Sequence, residues 1–427
     1  MALGGGTYTS QNKVLPGAYI NFVSAALASS ELSDRGIATI PFELDWGEEN
    51  KVIKVTKAEA IKHARKIFGY AYTDDKLSAI RDVFKNATVL YTYRLNGGGT
   101  KASNTYATAL YGGTRGNDIK IVIQANVDES SKYDVKTYLG DVLVDEQTVA
   151  SAAELKVNDF VTFKTDASLS ATAGTALSGG TNKTVTGAEH SAYLAAIEPY
   201  SYNCMGVVTD DSTTKALYTA FAKRMRNEVG VKFQVVLYNQ SADEEGVINV
   251  KNCKEVIPWT VGAEAGCPVN KSCTNKVYDG EAVVPADYTQ AQLTEAIEAG
   301  ELVFHKVGDE IRILTDINSL KTTTEDKGEV FKYNQSIRVM DQIANDIAVL
   351  FNTKYLGSIQ NNESGRVSLW GDIVKHHKEL NNIGAIENFK EGDIVVSQGT
   401  DKKSVVVSDV VTIVNSMEQL YMTVTVQ

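Results

Sequence analysis

The chain has 427 residues, a formal net charge of -11 and a pI near 5.1, with 43% hydrophobic and 22% charged residues. That length and apolar content support several domains with real cores, and the acidic balance argues against sequence-independent nucleic-acid binding, which depends on neutralising phosphates with Lys and Arg. No run approaches the apolar length that spans a bilayer, and Met1-Ala2-Leu3-Gly4-Gly5-Gly6 has neither the basic nor the apolar region of a signal peptide, so the expectation is a protein made and folded in a cytoplasm, without direct membrane insertion.

Both ends of the chain read as strands held away from the body. After Pro16-Gly17, the run Ala18-Tyr19-Ile20-Asn21-Phe22-Val23 alternates with a period of two. Thr56 and Glu59 form a capping box for a helix whose apolar stripe is Ala60, Ile61, Ala64, Ile67 and Phe68, closed by Gly69. A second helix is expected around 76–84, then a strand over 88–95 ended by Asn96-Gly97-Gly98-Gly99.

From there to about residue 186 helical periodicity vanishes. Short alternating runs at 119–123, 133–138, 141–144 and 160–163 predict a small all-β insertion, followed by a Ser/Thr/Ala/Gly-rich surface loop over 166–187. A new α/β unit opens near 190. A buried strand at 202–208, a helix capped by Asp210-Asp211-Ser212 with Leu217, Phe221, Met225 and Val229 inward, and a strand at 231–238 make a βαβ crossover. A long helix is expected over 335–351, with Ile337, Met340, Ile343, Ala344, Ile347, Leu350 and Phe351 buried. Another runs over 370–381 with Ile373, Val374, His377 and Leu380 inward, and the chain is β again from about 393. At the end, Leu420, Met422, Val424 and Val426 would line one face of a strand and Tyr421, Thr423, Thr425 and Gln427 the other.

Chemistry-bearing patterns are sparse. Asp210-Asp211 sits at a strand-to-helix turn where α/β enzymes keep metal or phosphate ligands, but reads as a helix cap. Gly112–Asp118 precedes a strand, the reverse of a phosphate cradle, and reads as a turn holding an arginine. His376 and His377 are expected to point apart, which denies them a shared metal. Cys204, Cys253, Cys267 and Cys273 are too few for a disulfide framework and read as ordinary thiols. No catalytic signature occurs, so no cofactor, metal or enzymatic activity is expected.

The segment from Glu255 to Lys276 joins a Trp, small residues at Gly262, Ala263, Ala265 and Gly266, and a polar turn with Asn270, Ser272 and Thr274. Together with Tyr278-Asp279-Gly280, Leu314–Leu320, Asn334–Asp341, Tyr355-Leu356-Gly357, Gly365-Arg366 and Met417–Val424, it resembles the tail sheath proteins of contractile phage tails and phage-tail-like bacteriocins. Leu15–Ile20 looks like the family's Pro-Gly-x-Tyr arm, and Gly113–Ile119 like the Gly-Asn-x-Ile element of its β domain.

The resemblance implies a mixed α/β, α+β multidomain sheath protomer with an α/β core, an all-β insertion and extended N- and C-terminal β arms. It maps as an arm over 1–24, core over 25–96, outer insertion over 97–186, core again over 187–320, a tube-facing domain over 321–405 and an arm over 406–427. Its implied partners are copies of itself in helically stacked hexameric discs, the inner tail tube, and baseplate and tail terminator proteins, with no nucleic acid. The implied function is to polymerise around the tube and contract, driving it through a target envelope. Ala18, Tyr19, Ile20 and Phe22, with Leu420, Met422, Val424 and Val426, would be the inter-subunit strands. Arg338, Lys354, Arg366 and Lys375 are the candidates for facing the tube. The alternatives are a tube or capsid subunit, or an α/β enzyme using Asp210-Asp211 as metal ligands.

Overall fold

A computed structural model describes residues 32–426, which fall into two compact units: Ala38–Ile197, and Glu198 onward together with the segment ending at Ile37. The strand expected over 18–23 lies outside the described residues.

The Ala38–Ile197 unit begins with β1 (Ile37–Phe42), β2 (Val52–Thr56), α1 (Lys57–Phe68), α2 (Ser78–Val83) and β3 (Val89–Arg94), the strands in the order β1-β3-β2. β2 and β3 are antiparallel, from Val52 opposite Tyr93 to Thr56 opposite Val89. The capping box forms: Thr56 Oγ1 accepts from Glu59 N at 3.3 Å and Glu59 Oε2 accepts from Thr56 N at 2.8 Å. Gly69 ends α1 in the left-handed region at φ 81, where a Cβ would come within 2.6 Å of Trp46 Cβ. The buried stripe is narrower than its apolar residues suggested. Ala60, Ala64 and Phe68, spaced four apart, are buried, whereas Ile61 lies about 100° round the helix and is 54% exposed.

The insertion comprises β4 (Ala107–Ala109), β5 (Ile119–Ala125), β6 (Tyr133–Leu139), β7 (Val142–Val149), β8 (Val161–Phe163) and β9 (Thr172–Ala176), before α3 (Gly187–Ile197). A four-stranded sheet in the order β7-β6-β5-β9 lies with the pair β4-β8 over a core that includes Ile119, Ile121, Ile123, Val135, Val161 and Phe163. The stretch over 166–187 is not wholly a loop: β9 within it pairs with β5, and Leu177 is buried. The edge of β5 needs a partner, and Thr-Ala-Gly-Thr-Ala supplies backbone donors and acceptors without an apolar signature.

In the second unit come β10 (Cys204–Gly206), α4 (Ser212–Arg224), β11 (Gln234–Tyr238), β12 (Val247–Val250), α5 (Ile257–Gly266), α6 (Gln290–Glu298), β13 (Glu301–Leu302), β14 (Phe304–Val307) and β15 (Glu310–Ile313). β10 to β13 run parallel in sequence order, confirming the crossover. Asp211 Oδ2 caps α4 by accepting from Thr214 N at 2.6 Å, and Asp210 pairs with Lys254. Phe221 and Met225 are buried as expected, but Val229 is 46% exposed. The cause is the last turn, Met225–Val229, which widens to a π-helix before Gly230 and rotates that face outward.

α5 is buried at nearly every position, and its closeness to the sheet has a specific partner. A Cβ on Gly206 of β10 would sit 2.4 Å from Val261 Cγ2. Trp259 of α5 donates to Asp279 Oδ1 at 2.7 Å and meets Tyr278 edge-on at 5.0 Å, so two distant pieces of the resemblance touch.

The rest of the unit is α7 (Asn334–Leu350), α8 (Glu363–Asn382), β16 (Ile386–Glu387), β17 (Ile394–Gln398), β18 (Val405–Asp409) and β19 (Thr412–Ile413). α8 starts earlier than expected because Asn362 caps it, accepting from Gly365 N at 2.8 Å. The face α7 buries is largely polar. Arg338, Asp341, Gln342 and Asp346 are buried beside Ile337 and Leu350, whereas Met340, Ile343, Ala344 and Ile347 are only half-buried. Buried charge of this kind survives only when paired.

Candidate assembly site

The polar face of α7 is where the sequence motifs converge. Arg338 is 2% exposed and reaches two acids. Its Nη1 donates to Glu264 Oε2 at 2.5 Å, and its Nη2 donates to Asp316 Oδ2 at 2.6 Å and to Lys271 O at 2.9 Å. Asp316 also accepts from Cys273 N at 2.8 Å and from Asn334 Nδ2 at 2.8 Å. Burial alone would raise the Asp316 carboxyl, but the adjacent guanidinium outweighs it and holds it below the usual range. Burial, and then Asp316 itself, push the Glu264 carboxyl well up, so one guanidinium serves one firmly charged acid and one that resists ionising.

This arrangement corrects the expectation for Arg338, which has no surface to offer a tube. It also occupies the group among the described residues with the shape of a cation site, Glu264, Cys273 and Asp316, by placing a guanidinium on both carboxyls. Cys267 and Cys273 are buried, and a hydrogen bond from Cys273 lowers the Cys267 thiol to about 7.

On top of this base sits the root of the C-terminal segment. Gln335 Nε2 donates to Val414 O at 3.2 Å, and its Oε1 accepts from Ser416 N at 2.9 Å. Ser336 Oγ donates to Asn415 Oδ1 at 2.9 Å, and Thr274 Oγ1 donates to Glu418 Oε1 at 2.6 Å. Gln335, Ser336 and Thr274 were not singled out as functional from sequence; two small or neutral polar residues opening a helix carry no signal of their own until the chain end is laid on them.

Beyond the root the segment leaves the body. Residues 414–426 pair as a strand with none of the described residues, and Leu420 (85%), Tyr421, Met422, Val424 and Val426 (88%) are all exposed. An alternating segment without a neighbouring strand leaves its backbone groups to water.

An incomplete sheet stands in the same unit. β17 and β18 form an isolated antiparallel hairpin, Ile394 opposite Asp409 and Gln398 opposite Val405. Its inner residues Ile394, Val396 and Val405 pack with Leu369, Ile373 and Val374 of α8, and its outer residues Val395 and Val406 are exposed. Two strands are marginal in water, and both outer edges of this pair are unoccupied among the described residues.

The other tube-facing candidates are not brought together. Lys354 Nζ pairs with Asp372 Oδ2 at 2.6 Å, Arg366 Nη1 donates to Asn361 Oδ1 at 3.1 Å, and Lys375 lies exposed on α8, 4.0 Å from Glu379 Oε1. The described residues include no helix long and apolar enough to cross a membrane.

Comparison with known proteins covers the whole described chain. Residues 35–95 match the N-terminal region of domain III of the tail sheath protein Gp18, 71–182 the β-sandwich domain of phage tail sheath proteins, 183–319 their central domain and 326–427 their C-terminal domain. The phage-like element PBSX protein XkdK of Bacillus subtilis is 33% identical over 99% of this chain and 100% of its own. The solved sheath tail protein of Desulfitobacterium hafniense is 38% identical, covers 94% of this chain and 98% of its own, and superposes with a TM-score of 0.83. That of Listeria innocua is 31% identical over 92% and 96%, with a TM-score of 0.79.

Proposed function

This chain belongs to the phage tail sheath family and is a structural subunit of a phage-type tail sheath, and on that footing we propose that its C-terminal segment is the link that holds the sheath together. Residues 420–426 of one subunit add as a strand to an edge of the β17–β18 hairpin of a neighbour. The observation that carries this is the pairing of a fully exposed, strand-patterned segment with a firmly anchored root and an incomplete two-stranded sheet. Each backbone bond made contributes about 1 kcal/mol net, and burying each of Leu420, Met422, Val424 and Val426 adds roughly 1.5–3 kcal/mol. The N-terminal arm, with Ala18, Tyr19, Ile20 and Phe22, serves the same purpose.

Such subunits stack as hexameric discs around an inner tube between baseplate and terminator, and shorten when released to a more tightly packed state. The work comes from new packing, summed over many subunits. Backbone-bonded arms suit this, because a strand tethers an edge without fixing the body behind it. The insertion over 97–186 lies outermost, and Lys354, Arg366 and Lys375 face the tube.

The test is deletion of residues 417–427. The truncated chain should stay folded and monomeric, with its melting temperature unchanged, and should form no tubes in negative-stain images. Normal hollow cylinders from the truncated chain would refute the arm.

A further inference from the structure

The charge of the chain is unevenly distributed. From Lys51 to Phe68, the stretch that holds α1, there are six Lys or Arg and one acid; from Asp279 to Glu301, which holds α6, there are six acids and no Lys or Arg. The two stretches belong to different units of the chain.

On α1 the bases lie on the solvent side. Ala60, Ala64 and Phe68 are buried, while Lys57, Lys62 and Arg65 are exposed, with Ile61 at 54% among them. Lys57, Ile61 and Arg65 are spaced four apart and share one stripe. The single acid of the stretch, Glu59, is engaged by Thr56 in the capping box. Lys66 pairs with Asp159 at 2.8 Å, but no acid among the described residues comes within ion-pair reach of Lys57, Lys62 or Arg65.

Helix α6 is the converse. Of its nine residues only Ala296 is buried. Glu295 and Glu298 are exposed together with Ile297, and Asp287 is exposed just before the helix. Asp279 accepts from Trp259 and Glu301 pairs with Lys251, whereas Asp287, Glu295 and Glu298 have no base within ion-pair reach among the described residues. Lys306 shares a cleft with Asp287 and Leu293 and offsets part of that charge.

We propose that the basic face of α1 in one subunit docks on the acidic face of α6 in a second copy of this chain. The proposal rests on self-assembly of the sheath subunit and adds a contact separate from the C-terminal strand. The two patches match in kind and oppose in sign: each sets an exposed isoleucine among charges of one sign. A contact between two different patches of the same chain is head-to-tail, and such contacts propagate into rings or helical filaments instead of closing as a pair. Exposed ion pairs are individually weak. This contact therefore steers approach and sets register, and strand addition does the holding.

The test follows self-association of the full chain by light scattering at about 0.1 M salt, where charges act over about 10 Å. One chain carries Lys57→Glu, Lys62→Glu and Arg65→Glu, a second carries Asp287→Lys, Glu295→Lys and Glu298→Lys, and a third carries both sets. Each set alone should slow association by about tenfold or more, the scale of electrostatic steering, with the melting temperature as in the wild type because all six residues are exposed. The chain with both sets should regain the wild-type rate, and an equal mixture of the two single-set chains should associate where neither does alone. At about 1 M salt the differences should vanish. Wild-type rates from either single set would overturn the contact. Slowing by the α1 set without recovery in the double set or the mixture would overturn α6 as its partner. Binding to phosphatidylglycerol vesicles that the α1 set abolishes, with self-association unchanged, would assign the patch to a lipid surface and overturn the proposal as well. If a reversed set fails to fold, glutamine at the same positions decides: slower association with a flatter salt dependence supports the contact, and wild-type behaviour overturns it. The C-terminal segment is native in every chain, so failure of the strand reading leaves this comparison intact.

Discussion

Arg338 Nη2 donates to Asp316 Oδ2 at 2.6 Å with both side chains almost wholly buried. The two residues lie on different elements, one on α7 and the other in the loop after β15, and Glu264 of α5 completes the group from a third. Beside it, Gln335 and Ser336 on the same helix hold Val414 to Ser416. The ionic centre thus fixes the helix turn from which the C-terminal segment departs.

Replacing Arg338 by Met should be strongly destabilising, because it strips the counter-charge from a buried Asp316. Losing one partner of a buried pair costs roughly 3–5 kcal/mol, whereas a surface arginine replaced in the same way changes stability by less than about 0.5 kcal/mol. Denaturant unfolding of the unassembled chain measures the difference. Adding Asp316→Asn and Glu264→Gln should recover part of the loss, since the buried acids no longer lack a partner.

Thr423→Pro should separate folding from assembly. Proline removes a backbone donor in the middle of the alternating segment, and residue 423 is exposed in the single chain. The melting temperature should stay as in the wild type while tubes seen by electron microscopy are lost or greatly shortened. Unaltered tubes would mean that this stretch pairs with no sheet.

Asp243 supplies an acid-labile clasp. Its Oδ1 accepts from Lys321 N at 2.6 Å and from Thr322 N at 2.9 Å, and its Oδ2 accepts from Thr322 Oγ1 at 2.7 Å. These bonds favour the carboxylate and lower its pKa from 3.8 to about 2. The folded-state value lies below the unfolded one, so the contribution is present above about pH 4 and fades as pH falls toward 2. Asp243→Asn, which tolerates the left-handed backbone at φ 53, should therefore melt below the wild type at neutral pH, with the gap closing on acidification. A gap that stays constant from pH 6 to pH 2.5, on the scale of about one carboxylate titration, would show that the charge is not what holds Lys321 and Thr322.

Much of the architecture was legible from local rules. The capping box at Thr56 and Glu59, the left-handed Gly69, the Asp211 cap and the crossover from β10 to β11 depend on residues within a few positions, or on one period, and the chain displays them directly. The errors share a cause. Ile61, Val229 and the face of α7 were placed by apolar periodicity, which treats Arg338, Asp341 and Asp346 as surface residues; their partners, Glu264, Arg226 and His376, lie 74, 115 and 30 residues away in sequence. β9 was missed because its residues are small and polar, and only β5 makes them a strand.

By itself the sequence determined the helices, the crossover, the all-β character of the insertion and the strand pattern of the last residues, since each follows from side-chain period and capping chemistry over short spans. The tertiary structure decided which charges are buried, that His376 and His377, rather than pointing apart, bring their Nδ1 atoms to 3.4 Å, and that Gln335 and Ser336 seat the departing chain. It also decided that residues 420–426 pair with no strand among the described residues. Period-two alternation specifies a strand's faces but not its neighbour, because backbone hydrogen bonds are satisfied only by whatever edge the fold, or a second copy of it, brings alongside.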